Sequence, residues 1–301
     1  MSCAFLIIAH ADVELLRRLV RQLKGHDVFV HWDRKSGPPP LVEGATMIAE
    51  RVSVFWAGYT QIEATAALLR AALASGKSYT KIMLLSGACY PIKPVDELVA
   101  MFEADGGHNY INAVKVDESP HLRELVRPPV FRDALFPDWA RRTKLGDLLE
   151  RIVRRALNTF LKLFSKSRPP GLELFHGSQW WALSGEAAAF ALNRIETDPA
   201  IAKFYRRTFA SDEQVFQTII RNSEFASLCA PTLPFTGRGT YQTANLHIID
   251  PSLSKWFDVS DIDLVGKSDS FFVRKVSSSR SGPLLDWLDE HRLAKAAAKD
   301  S

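Results

Sequence analysis

Ser211-Asp212-Glu213-Gln214 is the acidic cluster with the most chemistry to offer. A carboxylate fixed on the first turn of a helix can take a proton from a hydroxyl nucleophile, which is the work of a general base. The same residues also suit a plain helix start, with Ser211 as cap and acids in the first turn, and spacing alone favours that role. Phe271-Phe272-Val273-Arg274-Lys275-Val276 places two cations after an aromatic pair. They could neutralise a diphosphate leaving group without a metal, or simply guard a strand edge. Within His176 to Ser184, Trp180 and Trp181 stand side by side. Neighbours on a strand point to opposite faces, so one belongs to the core and the other is available to stack on a sugar. His10, His31 and His247 are scattered, and each fits a structural role better than a metal site.

The motifs of better-known chemistries are missing. Gly237-Arg238-Gly239 lacks a third glycine and joins no strand to a helix, and there is no Walker loop, H-E-x-x-H or G-x-S-x-G. Asp261 and Asp263 form a D-x-D pair outside the expected βα core, where acidic turn residues are commonplace, so no metal is assigned. The three cysteines, Cys3, Cys89 and Cys229, are odd in number and have no C-x-x-C spacing, which points to a reducing compartment.

The elements that must position these residues follow from apolar patterning. With 301 residues, 47% hydrophobic and 24% charged, the chain can bury a full core, which excludes a disordered chain or a disulfide miniprotein. Phe5–Ala9, Asp27–Asp33, a short Arg51–Phe55, Lys81–Leu85, Asn109–Asn112 and Gln179–Leu183 read as strands. Helices are expected from Asp12, over Gln61–Ala74, Val95–Phe102, Gly185–Ile195 and Asp212–Asn222, and from Pro283. This alternation predicts an α/β fold with a mainly parallel sheet flanked by helices. Ligands of such sheets bind at the carboxyl ends of strands, where Asp12, Asp33, Trp56 and Ser86 fall. One domain over residues 1–301 is expected: a nucleotide-binding βα half (1–115), a helical insertion (116–175) and an acceptor and catalytic half (176–301).

Residues 140–168 carry nine basic and two acidic side chains with leucines, isoleucine, valine and phenylalanines at helical spacing, against a net charge of +4 for the whole chain. A basic amphipathic helix of this kind more often packs on its own core than elsewhere. Its alternative is docking on an anionic membrane through Arg151, Arg154, Arg155, Lys162 and Lys166, with Phe160, Leu161 and Phe164 inserted. A nucleic-acid or lipid-binding module could also rest on this segment, but no nucleic-acid motif accompanies it, and nucleic acid is not an expected partner. No leader or membrane span is legible, so the expected location is the cytoplasm, with peripheral contact at the inner face of the membrane.

Taken in order, the segments resemble the Branch family of glycosyltransferases, which holds the core-2/I-branching β-1,6-N-acetylglucosaminyltransferases and the peptide O-xylosyltransferases. The landmarks are Ala4 to His10, Val30-His31-Trp32-Asp33-Arg34-Lys35, Trp56 to Ala64, Leu84 to Lys93, Gly177 to Ser184, Ser211-Asp212-Glu213 and Phe272-Val273-Arg274-Lys275. The resemblance implies a GT-A-like fold and an inverting transfer, without metal or other cofactor, from a UDP-sugar, GlcNAc or xylose before others. The acceptor would be a glycan, a lipid-linked saccharide or a peptide. By position it implies Glu213 as general base and Lys275 on the donor diphosphate, with Asp33, Trp56 and Ile8 around the uridine. Ser86 and Arg274 complete the donor side, and Trp180 and Trp181 the substrate side. Two positions depart from the family pattern: His247 replaces a second cation on the diphosphate, and Cys89 replaces an acidic residue in Leu84-Leu85-Ser86-Gly87-Ala88-Cys89-Tyr90-Pro91. An inactive nucleotide-sugar-binding homologue is the remaining alternative.

Overall fold

The computed structural model describes residues 2–237 and 241–297. Along the chain, β1 (Ser2–Ala9) leads to α1 (Val13–Gln22), β2 (Asp27–Trp32), β3 (Thr46–Met47), α2 (Thr60–Leu73), β4 (Tyr79–Ser86), β5 (Cys89–Pro91), α3 (Val95–Ala104) and β6 (Val114–Lys115). Next come α4 (Pro120–Val126), α5 (Asp138–Arg141), α6 (Lys144–Leu161), β7 (Phe175–His176), β8 (Ala182–Leu183), α7 (Gly185–Thr197) and α8 (Pro199–Tyr205). The remainder is α9 (Val215–Arg221), β9 (His247–Ile249), α10 (Ile262–Gly266), β10 (Phe272–Arg274) and α11 (Ser278–Ala297).

The central sheet runs β3-β2-β1-β4-β8, parallel except for β8 at one edge. Its strands are continuous apolar runs because both faces are covered. Ala4, Leu6, Phe29, Ile82 and Leu84 face the core layer shared with α2, α7 and α9. The alternate residues Phe5, Ile7, Val28, Val30, Met83 and Leu85 face the layer shared with α1, α3 and α11. A small sheet, β5-β10-β9, grows from the end of β4, with β10 antiparallel to β5 and parallel to β9. The pair β6–β7 is antiparallel, so the chain between them leaves and returns at one place.

Several expected elements differ. Arg51–Phe55 is not a strand, because side chains capture its amides: Val52 N donates to His31 Nε2 at 3.0 Å and Val54 N to Asp33 Oδ1 at 3.4 Å. The sheet edge is taken by β3 instead. Asn109–Asn112 makes isolated bridges, Asn109 to Cys229 and Tyr110 to Ala182, and the strand forms later as β6. Gln179–Leu183 shortens to β8, since Asn245 Nδ2 binds Trp180 O at 2.9 Å before any ladder starts. The helix expected over Asp212–Asn222 splits into a 3-10 turn at Ser211–Glu213 and α9. Ser211 does not cap it; its hydroxyl is buried without a partner. Residues 140–168 divide into α5, α6 and an irregular segment after Leu161, and α11 begins at Ser278, before Pro283.

Candidate active site

The carboxyl ends of β1, β2 and β4 form one rim. Ile8, half-buried, lies in register with His31 on β2 and Ser86 on β4. Asp33, 5% exposed, hangs its amide on Ala9 O at 2.9 Å and caps the following turn by accepting from Lys35 N at 2.8 Å. Gly87 donates to Ile8 O at 2.9 Å. A Cβ at Gly87 would sit 2.9 Å from that of Ala9, so only glycine lets the chain leave β4 this close to β1.

The small sheet brings the cations to that rim. Register pairs Arg274 with Cys89 and Phe272 with His247. The Arg274 guanidinium donates to Ser86 Oγ and stacks over the Trp180 ring, 4.5 Å from its centre. Cys89 Sγ lies 3.3 Å from the same Ser86 hydroxyl, so this thiol packs into the support of Arg274. Burial pulls the Arg274 pKa down from its usual range, offset in part by Cys89. His247 is sealed between Phe272, 5.3 Å between ring centres, and Trp180. Burial and the Arg274 charge push its pKa down to about 3, so its imidazole is neutral near pH 7. Lys275 follows on β10 and is half-buried, its pKa lowered by burial and by Arg274. Phe257 N holds its carbonyl at 2.9 Å.

Glu213 closes the other side. Ala210, in the left-handed region at φ 48°, turns the chain into the 3-10 turn, and its amide binds Ala57 O at 3.1 Å. Gly177 N donates to Glu213 O at 2.8 Å, and a Cβ at Gly177 would meet Asn112 O at 2.2 Å, which explains the glycine. The Glu213 side chain is 28% exposed, with Oε2 3.8 Å from His176 Nε2. Burial pushes His176 down to about 4, so it is a neutral neighbour to this carboxylate near pH 7. Glu213 is thus pinned by its backbone, with its side chain partly exposed.

Sequence reasoning did not single out the polar chain behind this turn. Gln179 Nε2 donates to Gln61 Oε1 at 3.3 Å, and Gln61 Nε2 to Asp212 Oδ2 at 2.9 Å. Asp212 is buried, and burial together with the Asp133 charge raises its pKa to about 7. Asp133 caps α2, accepting from Tyr59 N at 2.9 Å, Thr60 N at 3.2 Å and Thr60 Oγ1 at 2.7 Å. A Cβ at Gly58 would strike its Oδ1 at 2.2 Å. No local signal marks Asp133, since it caps a helix 74 positions away.

The tryptophans divide differently from expectation. Trp181 is wholly buried and packs against Phe216, so it cannot touch a substrate. Trp180 is also buried, and the face set aside for a sugar carries Arg274. Trp56 is 72% exposed, edge-on to Phe209, with the Arg132 guanidinium 5.0 Å from its ring centre. Asp261 completes a capping box with Asp258 and pairs with Lys255, while Asp263 is exposed on α10. Among the described residues no group of three or more His, Cys, Asp or Glu is gathered. Arg238 and Gly239 of the Gly237-Arg238-Gly239 run lie outside the described residues. A cavity of about 290 Å³, lined by Arg123, Arg127, Lys166, Arg168 and Phe204 among others, touches none of the rim residues.

Comparison with known proteins identifies the family. The family model described as Core-2/I-Branching enzyme matches residues 3–233. That span includes Ile8, Asp33, Trp56, Ser86, the tryptophan pair and Glu213, and ends before His247, Arg274 and Lys275. Among curated proteins, the chain is 21% identical over 202 residues to xylosyltransferase oxt of Drosophila melanogaster, covering 66% of this chain and 19% of that protein. It is 24% identical over 237 residues to beta-1,3-galactosyl-O-glycosyl-glycoprotein beta-1,6-N-acetylglucosaminyltransferase 4 of Mus musculus, covering 72% of this chain and 46% of the relative. The matched region therefore spans less than half the length of either relative.

Proposed function

The chain belongs to the core-2/I-branching enzyme family, and from that premise we propose that it transfers a sugar from a UDP-sugar to a hydroxyl of a saccharide or peptide. The donor site lies on the strand-end rim of a GT-A-like fold. One observation carries the reading: a partly exposed carboxylate and a half-buried cation are tied to a single short segment. Glu213 is held at Gly177 and Arg274 rests on Trp180, three residues on, at most about 11 Å of extended chain.

In this reading Glu213 takes the acceptor proton as the hydroxyl oxygen attacks the anomeric carbon from the face opposite UDP. A glycosidic C–O bond forms, the C–O bond to the β-phosphate breaks, and configuration inverts. The transition state resembles an oxocarbenium ion while negative charge grows on the departing diphosphate. In this reading Arg274 and Lys275 offset that charge without a metal, as fixed cations near a leaving diphosphate do. Neutral His247 contributes no charge and serves to wall the Trp180–Arg274 stack. Ile8, Asp33, Trp56 and Ser86 line the donor side, Trp56 standing beside the turn that carries Glu213.

The test is UDP release from UDP-GlcNAc, UDP-xylose, UDP-galactose and UDP-glucose, with and without saccharide and peptide acceptors, alongside thermal-shift titration of each donor. Acceptor-dependent UDP release is expected. Neither release nor stabilisation by any of the four donors would overturn the proposal.

A further inference from the structure

Helix α6 is attached to the protein by its polar side. Its one buried residue is Glu150, whose carboxylate lies 2.7 Å from Arg141 Nε and 3.4 Å from Arg154 Nη1. Two turns beyond Glu150, Asn158 clamps Phe131: Phe131 N donates to its Oδ1 at 2.8 Å and its Nδ2 donates to Phe131 O at 2.9 Å. Glu150, Arg154 and Asn158 recur every fourth residue, so they form one stripe, and that stripe meets protein. Most of the apolar residues are turned out, while Leu157 and Leu161 are half-buried, so Leu161 leaves the inserted set expected from the sequence. Leu145, Leu148, Leu149, Ile152, Val153 and Phe160 are between 44% and 66% exposed, and after the helix Leu163 and Phe164 are 79% and 50% exposed. A surface helix packed on its own core shows the opposite arrangement. Single exposed leucines need no explanation, but a contiguous row of this kind marks a surface that something covers.

Charge selects the occupant. Both acids of the helix are engaged, Glu150 inward and Asp147 with Arg151. Arg142, Lys144, Arg155 and Lys162 are exposed on the same segment. The sequence-based docking set therefore changes: Arg154 is taken by Glu150, and Lys166 is turned to Thr208 and Phe204. An apolar centre with cations beside it and no available carboxylate fits the interface of an anionic bilayer. No described helix is long and apolar enough to cross a membrane, so the contact is peripheral. We infer that α6 and the turn after it, as far as Phe164, lie in the headgroup plane of an anionic lipid membrane. This docking does not depend on the transfer reaction.

Co-sedimentation of the full chain with vesicles of phosphatidylcholine, alone or mixed with phosphatidylglycerol, tests it. Wild type is expected to pellet with the mixed vesicles at physiological salt and much less with the neutral ones. Each cation near such a surface is worth about fivefold in partitioning, so Lys144→Glu with Arg155→Glu should lower it at least about 25-fold. Leu148→Asp with Ile152→Asp should abolish binding while leaving the circular dichroism spectrum and melting temperature unchanged, since both positions are exposed. Wild type remaining in the supernatant with mixed vesicles overturns the inference, whatever the outcome of the UDP-release assay. A concentration-dependent dimer that the apolar double variant dissolves, without vesicle binding by wild type, would assign the face to a second copy instead.

Discussion

Replacing Asp212 by Asn should change how stability depends on pH. The Asp212 carboxyl is 6% exposed, its Oδ2 accepts from Gln61 and its Oδ1 is buried without a partner. Burial and the nearby charge of Asp133 raise its pKa from 3.8 to about 7. The native state therefore keeps a proton that the unfolded chain releases between about pH 4 and pH 7. Stability rises with pH where the unfolded state binds more protons, and here the native state binds more, so stability falls. This contribution is fully present below about pH 4 and lost as pH rises through about 7. Each pH unit of separation is worth 1.36 kcal/mol, so the loss across the window is on the order of a few kcal/mol.

In Asp212→Asn the new amide can still accept from Gln61 and carries no proton to lose. Urea unfolding of wild type and Asp212→Asn from pH 4.5 to 8 gives the contrast, and subtraction cancels the other titrating groups. The variant should gain on wild type progressively up to about pH 7 and hold that advantage above it. Asp133→Asn should shift the wild-type window downward by removing the neighbouring charge, despite costing α2 about 1 kcal/mol of capping. A stability difference between wild type and Asp212→Asn that stays constant from pH 4.5 to 8 would refute the assignment.

Glu213→Gln should cut transfer by about 10²-fold or more while donor binding, read by thermal shift, stays near wild type; near-normal turnover would return this residue to a backbone role. Arg274→Met or Lys275→Ala should weaken UDP binding about tenfold each in titration calorimetry, because a charge-assisted contact to phosphate is lost; unchanged UDP affinity in both would remove the cations from the donor site. Transfer should survive excess EDTA, and loss restored by manganese would show that the diphosphate is held by metal. Gly58→Ala should destabilise by about 1–3 kcal/mol in denaturant unfolding, since its Cβ displaces the Asp133 cap; a wild-type midpoint would contradict the close approach.

The parts of the fold legible in the sequence are those decided by burial. β1, β2 and β4 read as unbroken apolar runs because helices cover both faces, and α1 announces itself through Asp12, which accepts from Leu15 N. The misreadings share a cause. Arg51–Phe55 has the β-branched alternation of a strand, but side chains of His31 and Asp33 reach its amides before a neighbouring strand can. Ser211 has the identity of a cap, yet the left-handed Ala210 turns its hydroxyl inward and produces a tight 3-10 turn first. Periodicity records which face is apolar, not what that face meets. Residues 140–168 show the amphipathic period plainly, and only the Glu150–Arg154–Asn158 stripe reveals that the apolar side looks outward.

The candidate site was legible as residue types and illegible as partnerships. Glu213, Arg274 and Lys275 stand out as a base and two cations, but Arg274 acquires its position from Cys89 across a strand pair and from Ser86, 188 positions earlier. Gln61 reaches Asp212 over 151 positions, and nothing local marks the two as partners. The same geometry bears on positions 89 and 247, where the resemblance implies an acid and a second cation. An acid at position 89 would face Arg274 across the small sheet and compete for its charge; Cys89 instead packs its sulfur on Ser86 and leaves the guanidinium to Trp180 and Ser86. A second cation at position 247 would be buried against Arg274; burial first, and then the Arg274 charge, already hold His247 neutral. Having neither the acid nor the cation that the resemblance implies leaves the local charge to Arg274 and Lys275. Restoring either one alone, Cys89→Asp or His247→Arg, should therefore destabilise the protein more than restoring both, a coupling that a double-mutant cycle in urea reads directly. Additive effects of the two substitutions would mean that the two positions are not energetically coupled.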